Sequence, residues 1–241
     1  MLNKLRALFF DIDDTLYSTT EFTLAARRAG IRAMIQFGLK MDEEALLKEL
    51  LEIVDEFSSN DPLHFNKLLR RIPPQLMDGL NPNVLVACGI VAYQDVKYRE
   101  LHPYEDVVEV MRLLSKQQGL KMGVISSGRP DKQYEKIVRM GLHKMLDPLA
   151  VFVAEEIGFS KTNARLYSRI AETLELKPGD CMMVGDRHDH DIDPAHQAGF
   201  KTVLNLRSGK HRDKAGQFAP DYQIHNFWDL MDILKRDYGL V

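Results

Sequence analysis

Short apolar runs alternate with amphipathic segments through the second half of the chain. The first run, LRALFF at 5–10, is followed directly by acidic residues, and similar runs recur at 121–126, 149–154, 181–185 and 201–206. Such runs are typical of parallel strands that are buried on both faces. Between the later runs, three segments have apolar residues at helical spacing: 105–118, 131–140 and 163–175. This alternation predicts βαβ units and therefore an α/β fold with a parallel sheet.

Residues 17–101 follow a different pattern, in which we find only helical periods. These periods cover 21–37, 43–57, 63–71 and 82–100. Asp42 is a suitable N-cap for the second helix, and Asn81-Pro82 suits the start of the last one. We therefore predict an all-helical cap domain at 17–101, inserted into an α/β catalytic core of 1–16 and 102–241. We expect the cap to fold over the C-terminal edge of the sheet.

Polar residues follow the predicted strands at the edge where open parallel sheets bind ligands. They are Asp11, Asp13, Ser126, Ser127, Gly128, Lys161, Asp186 and Asp191. Any single aspartate here is also compatible with a helix cap or a turn, but the whole set in this order favours a site. Carboxylate oxygens favour a hard cation such as Mg²⁺, and a nearby lysine and serine suit a phosphate group.

Four short motifs resemble those of the haloacid dehalogenase superfamily, in the same order along the chain. Residues 11–16 (DIDDTL) resemble its first motif, DxDxT, and Ser126 and Lys161 resemble the second and third motifs. Gly185-Asp186 with Asp191 resembles the fourth, GDxxxxD. The helical insertion between the first two motifs resembles the C1 cap of the superfamily. The resemblance spans essentially the whole chain and implies a Rossmann-like parallel sheet flanked by helices, with an inserted all-helical cap.

The resemblance implies a Mg²⁺-dependent phosphoryl-transfer site. Asp11 would be the nucleophile that forms an aspartyl-phosphate, and Asp13 would be the general acid and then the general base. Mg²⁺ would be bound by the carboxylates of Asp11 and Asp186 and by the backbone carbonyl of Asp13. Because a halide leaving group needs no proton, Asp13 favours phosphoryl chemistry over carbon–halogen hydrolysis.

The remaining motif residues would bind the phosphate, according to the same resemblance. Ser126 and the backbone amides of Ser127 and Gly128 would donate hydrogen bonds to its oxygens, and Lys161 would neutralise its charge. Asp191 would lie outside the metal ligands and position Lys161 or a metal-bound water.

Further segments are similar to one branch of the superfamily. The branch is described as N-acylneuraminate-9-phosphatase-like and includes archaeal glyceraldehyde 3-phosphate phosphatases. The similar segments are 52–60, 64–66, 93–97 and 132–136. The implied enzyme is a phosphoric monoester hydrolase acting on a small phosphorylated metabolite, of the sugar-phosphate or glyceraldehyde-phosphate type.

Two alternatives remain open from the sequence. A phosphomutase of the same superfamily would return the phosphoryl group to a bound sugar. A phospho-accepting regulatory protein of the receiver type would also phosphorylate an aspartate at a strand end. Receivers, however, place their acidic pair on an earlier strand and carry no helical insertion.

Composition and charge exclude several other classes of protein. The chain has 241 residues, with 32 basic and 35 acidic side chains and a net charge of −3, so it lacks the basic excess of a nucleic-acid binder. The basic stretch 207–214 is interrupted by Gly209 and Asp213 and is typical of a solvated loop. No apolar run is long enough for a signal peptide or a membrane span, and the two cysteines form no metal or disulfide motif. We therefore expect a cytoplasmic protein with no nucleic-acid or membrane partner, and the apolar cap helices leave a homodimer open.

Overall fold

The computed structural model describes residues 4–59, 61–208 and 215–240. Residue 60 and residues 209–214 of the basic stretch therefore lie outside the described residues. The chain divides into two compact units: one contains Met1–Ser18 and His102–Val241, and the other contains Thr19–Leu101. The first is called the sheet unit below and the second the helical unit. Tyr17 and Ser18, which lie within the predicted cap domain 17–101, belong to the sheet unit.

The sheet unit contains a six-stranded sheet in which every neighbouring pair of strands is parallel. The strands are β1 (Ala7–Phe10), β2 (Lys121–Ser126), β3 (Val151–Val153), β4 (Cys181–Gly185), β5 (Lys201–Asn205) and β6 (Tyr222–Ile224). Their order across the sheet is β3-β2-β1-β4-β5-β6. This is the order of the Rossmann fold, in which the chain winds outward in both directions from the central strand.

Among its described residues, the helical unit contains four α-helices and one 3₁₀ turn. They are α1 (Thr19–Gln36), α2 (Glu43–Phe57), α3 (His64–Arg71), the turn Pro74–Met77 and α4 (Pro82–Glu100). The Asp42 carboxylate accepts hydrogen bonds from the backbone of Glu44 and Ala45 at the start of α2, as the sequence predicts. Apolar side chains from all four helices form one buried core, which includes Ile31, Leu46, Leu50, Phe65, Leu68 and Leu85.

Helices cover the sheet between its strands. They are α5 (Glu105–Leu114), α6 (Pro130–Arg139), α7 (Ala154–Ile157), α8 (Ala164–Thr173), α9 (Asp193–Gln197) and α10 (Phe227–Tyr238), with a π-helical turn at His188–Ile192. The residues of β1 are fully buried, as expected for a central strand covered on both faces. Phe9 packs near Phe152 and Phe200, whereas Phe10 stacks on Phe227 of α10. The predicted α/β class with an inserted all-helical region is therefore confirmed.

Two predicted elements have different ends in the structure. The apolar run 149–154 contains a shorter strand, because Ala154 already begins α7. The helix predicted over 105–118 ends at Leu114. An apolar run marks burial, but it does not mark the residue at which a buried strand becomes a helix. Among the described residues, no helix has the length and apolar character needed to cross a membrane.

Asp106 joins three parts of the sheet unit, and its removal should lower thermal stability. Its carboxylate binds the Arg207 guanidinium through two hydrogen bonds of 2.9 and 2.5 Å, and it accepts the Phe227 amide at 2.7 Å. Hydrogen bonds to charged groups contribute about 1.5–3 kcal/mol, so Asp106→Asn should lower the melting temperature by about 5 °C. Differential scanning calorimetry would measure this shift. The matched control Glu109→Gln changes an exposed carboxylate of the same helix, and an equal shift in both variants would contradict the account.

Acid should weaken the same contact. Burial raises the pKa of Asp106, but the hydrogen bonds from Arg207 and the Phe227 amide outweigh burial and hold that pKa below its ordinary value. The contact therefore stabilises the protein fully above the pKa of an unfolded aspartate. Its contribution is lost as the pH falls through the lower pKa of the folded state. The difference in melting temperature between wild type and Asp106→Asn should accordingly shrink when calorimetry is repeated in acid.

Candidate active site

The order of the strands reverses between β1 and β4, and this reversal creates a crevice at their carboxyl ends. Ligands of open α/β sheets bind at such a switch point. Asp11 directly follows β1 and Asp186 directly follows β4, so both aspartates lie at the crevice. The Asp11 amide continues the pairing of the two strands by donating to the carbonyl of Val184 at 2.9 Å. The topology thus brings together two residues that are far apart in the sequence.

Three buried aspartates form an acidic cluster at this point. One carboxylate oxygen from each of Asp11, Asp186 and Asp191 lies within 4.8 Å of the other two. The residues are only 8%, 6% and 1% exposed, respectively. Asp191 reaches the cluster from the π-helical turn, where its Oδ2 accepts the Arg187 amide at 3.0 Å. A Cβ atom on Gly185 would lie 2.2 Å from the Asp191 Cγ, so this position requires glycine.

Lys161 is the buried cation of the cluster. It lies between α7 and α8, and its side chain is 2% exposed. The Nζ atom donates a very short hydrogen bond to the Asp11 carboxylate and lies 2.6 Å from Asp191 Oδ1. Burial lowers the pKa of Lys161, but the two carboxylates outweigh burial and raise that pKa above its ordinary value. The ammonium group therefore stays charged beside Asp11.

The acidic cluster carries more negative charge than its surroundings balance. Burial raises the pKa of Asp11 to about 7, with further increases from Asp191 and Asp13 and an opposing effect of Lys161. Burial also raises the pKa of Asp186 to about 8, and the charges of Asp11 and Asp191 add to this effect. A cation bound among these oxygens would relieve the repulsion. Since all the donors are carboxylate oxygens, the cluster fits a hard divalent cation.

Asp13 has its own set of partners, which no sequence motif indicates. Lys136 Nζ on α6 donates to both carboxylate oxygens, at 2.6 and 2.7 Å, and the Tyr17 hydroxyl donates to Oδ1 at 2.5 Å. Burial raises the pKa of Asp13, but Lys136 and Tyr17 outweigh burial and hold that pKa below its ordinary value. Lys136 lies in the segment 132–136 that resembles one branch of the superfamily. The sequence alone gave it no role.

Ser126, Ser127 and Gly128 follow β2 at the same edge of the sheet. Ser126 is 1% exposed, and its Oγ donates to Gln133 Oε1 at 3.3 Å. Gly128 adopts a positive φ of 101°, and its amide donates to Glu155 Oε1 at 2.5 Å. The Gly128 amide, which we expected to bind phosphate, is thus bonded to a carboxylate of the protein. Glu155 follows β3, and no motif of the sequence indicated this contact.

The fold and the acidic cluster define an α/β protein whose switch-point site is suited to a divalent cation. A protein-family model for haloacid dehalogenase-like hydrolases matches residues 5–199. The chain belongs to this family, as its four motifs predict.

Curated relatives of the chain include several archaeal enzymes of one name. The chain is 41% identical to the glyceraldehyde 3-phosphate phosphatase of Methanopyrus kandleri, over 96% of this chain and 98% of that protein. It is 35% identical to the enzyme of the same name from Methanocaldococcus jannaschii, again over 96% and 98%. These relatives confirm the branch that the sequence resembles, and with it the predicted enzyme class, a phosphatase of this family.

Solved structures confirm the fold at lower sequence identity. A phosphatase of this family from Thermococcus onnurineus superposes with a TM-score of 0.65 at 21% identity, covering 95% of this chain and 98% of that one. The hydrolase YfnB from Bacillus subtilis, solved with bound magnesium, gives a TM-score of 0.66 at 17% identity, over 96% and 99%.

Proposed function

We propose that this hydrolase is a Mg²⁺-dependent phosphatase that cleaves the phosphate monoester of a small metabolite through an aspartyl-phosphate at Asp11. We assign glyceraldehyde 3-phosphate as its first candidate substrate. The archaeal relatives are named for this substrate, and their similarity to the chain covers nearly their whole length. In this proposal, the helical unit is the cap domain. The observation that carries the proposal is the buried contact between Asp11 and Lys161 at the switch point of the sheet.

Asp11 is the proposed nucleophile. A carboxylate at the end of β1 has a fixed backbone and an adjacent ammonium group, and these conditions suit in-line attack on phosphorus. The attack forms a bond from a carboxylate oxygen to phosphorus and breaks the bond to the ester oxygen. Lys161 lowers the repulsion between Asp11 and the approaching phosphate. Asp191 contacts the same ammonium group, which supports a role in orienting Lys161.

Asp13 is the proposed proton donor and acceptor. The alkoxide of a sugar-type phosphate is a poor leaving group, so it requires a proton as the ester bond breaks. Asp13 would supply this proton and then remove one from the water that hydrolyses the aspartyl-phosphate. Its position two residues after Asp11 favours both steps.

Phosphate recognition is assigned to Ser126, Ser127 and Lys161. The Ser127 amide and the Ser126 hydroxyl, once the hydroxyl turns from Gln133 Oε1, are the proposed donors to the phosphate oxygens. The Gly128 amide is engaged by Glu155, so Gly128 supports the shape of the loop in this proposal.

The metal ligands we propose are the Asp11 and Asp186 carboxylates and the Asp13 backbone carbonyl. Both oxygens of Asp191 already have partners in Lys161 and the Arg187 amide, which favours a place for Asp191 outside the ligand set. When bound, Mg²⁺ supplies positive charge that offsets the repulsion between carboxylates and phosphate.

The proposal predicts metal-dependent release of inorganic phosphate. The purified protein would be assayed with Mg²⁺ or with EDTA on glyceraldehyde 3-phosphate, other sugar phosphates, nucleotides and p-nitrophenyl phosphate. We expect release from small esters with Mg²⁺ and a loss of at least about 100-fold with EDTA, because the crowded carboxylates then repel the substrate. The rank order of the esters by kcat/KM would identify the preferred leaving group.

Two outcomes would overturn the proposal. A phosphomutase would convert one sugar phosphate into an isomer and free little inorganic phosphate, which chromatography of the products would reveal. A receiver-type regulatory protein would remain phosphorylated. It would release no inorganic phosphate catalytically from any of the esters.

A further inference from the structure

The carboxylate of Asp13 is held by three hydrogen bonds from two side chains of the sheet unit. Lys136 Nζ contacts both of its oxygens, and the Tyr17 hydroxyl contacts one of them. The Lys136 side chain is 15% exposed, and Tyr17 is almost fully buried. Tyr17 lies four residues beyond Asp13, whereas Lys136 reaches it from α6, 123 positions along the chain. A local and a distant element therefore fix the same carboxylate.

Gln133 extends this contact to the predicted phosphate loop. It lies one helical turn before Lys136 on the same face of α6, and it is 3% exposed. Its Oε1 atom accepts from Lys136 Nζ and from Ser126 Oγ, each at 3.3 Å. A chain of polar groups, buried at Ser126 and Gln133, thus connects the residue that ends β2 with the carboxylate that follows β1. Helix α6 places both side chains that make the connection.

A proton donor works only at hydrogen-bond distance from the atom that receives its proton. Asp13 is partly exposed, with a side-chain exposure of 36%, so its rotamer is not fixed by packing alone. The three hydrogen bonds limit the orientations of its carboxyl group. The contact therefore favours the transfer by holding the carboxyl group in one orientation.

We propose that Lys136 is a positioning residue for Asp13 and sets the ability of the enzyme to expel alkoxide leaving groups. This inference rests on the proposed function, in which Asp13 is the proton donor. As the bond from phosphorus to the ester oxygen breaks, the Asp13 proton passes to that oxygen, and phosphorus bonds to Asp11. Lys136 keeps its proton throughout and does not touch the substrate.

The test compares two leaving groups. Glyceraldehyde 3-phosphate releases an alkoxide that requires the proton, whereas p-nitrophenyl phosphate releases a stable phenolate that does not. The constant kcat/KM reports the steps up to loss of the leaving group, so it isolates the proton donation. In Lys136→Met, we expect kcat/KM for glyceraldehyde 3-phosphate to fall about 100-fold, and that for p-nitrophenyl phosphate to fall far less. The ratio of kcat/KM for glyceraldehyde 3-phosphate to kcat/KM for p-nitrophenyl phosphate should therefore fall. Lys136→Arg keeps the positive charge and the N–H donors, so it should restore part of this ratio.

Lys132→Met is the matched control. Lys132 lies one turn earlier on α6, has a side chain that is 42% exposed, and pairs with Glu135 at 3.8 Å. This variant removes the same charge from the same helix, so its ratio between the two substrates should equal that of the wild type. Tyr17→Phe removes one hydroxyl donor to Asp13 and should shift the ratio in the same direction as Lys136→Met. If Lys136→Met fails to fold, Tyr17→Phe alone can test the inference.

Each result decides the inference. An equal loss on both substrates in Lys136→Met, or a normal ratio in both Lys136→Met and Tyr17→Phe, would overturn it. Failure of the proposed function is distinguishable, because the wild type itself would then release no inorganic phosphate from either ester.

Discussion

Asp11→Asn should abolish phosphate release from every ester while leaving the fold intact. Asparagine has the shape of aspartate but lacks the charged oxygen that attacks phosphorus, so we expect kcat/KM to fall by at least about 10⁴-fold. The substitution also removes one negative charge from the cluster with Asp186 and Asp191. The folded state loses a repulsion, and the melting temperature in EDTA should therefore not decrease. Phosphate assays and calorimetry on one preparation would measure both effects.

Asp232→Asn provides the control for this substitution. Asp232 is an exposed residue of α10, so the same chemical change there should leave activity and stability near those of the wild type. A folded Asp11→Asn enzyme that still releases phosphate at a substantial rate would contradict the nucleophilic role of Asp11. An inactive variant that has lost its folded structure would place Asp11 among the residues needed for stability instead.

Lys161→Met should lower both activity and stability. Methionine fills similar space but leaves the carboxylates of Asp11 and Asp191 buried without their cation. Removing one partner of a buried ion pair costs about 3–5 kcal/mol, which would lower the melting temperature by about 10 °C in this chain. The loss of positive charge beside the phosphate should reduce kcat/KM by about 10³-fold. The opposite effects of Asp11→Asn and Lys161→Met on stability are the sharpest consequence of the charge imbalance in the cluster.

Lys144→Met is the matched control for this loss of a lysine, since Lys144 is exposed in the sheet unit. Lys144→Met should keep the activity and the melting temperature of the wild type. If Lys161→Met had the melting temperature and activity of the wild type, then Lys161 would not balance the acidic cluster. The proposed phosphate site would need a different cation.

Much of the fold could be predicted because burial leaves a direct mark on the sequence. A central parallel strand is covered on both faces, so β1 and β4 appear as continuous apolar runs. The turn that follows β1 was less predictable. Asp14 adopts a positive φ of 60°, and the chain folds back so that Asp13 bridges to Tyr17. Aspartate tolerates this conformation without requiring it, so the residue type alone does not predict the turn.

The candidate site could be predicted in part for a related reason. Strand ends collect at one edge of a parallel sheet, so residues that follow strands, such as Asp11 and Asp186, were expected to meet. Lys136 follows no strand. It reaches Asp13 only because α6 packs in one particular orientation, and no local pattern encodes that orientation. The bond from the Gly128 amide to Glu155 depends on tertiary packing in the same way.

The most direct test of the central claim is to capture the phosphorylated enzyme during turnover. Wild type and Asp11→Asn would be mixed with glyceraldehyde 3-phosphate and Mg²⁺, quenched in acid within milliseconds, digested and mapped by mass spectrometry. We predict one phosphoryl group on the wild-type peptide that contains Asp11, formed and lost at the rate of phosphate release, and none on the variant. Turnover without a phosphorylated peptide, or with the phosphoryl group on a different residue, would contradict the account.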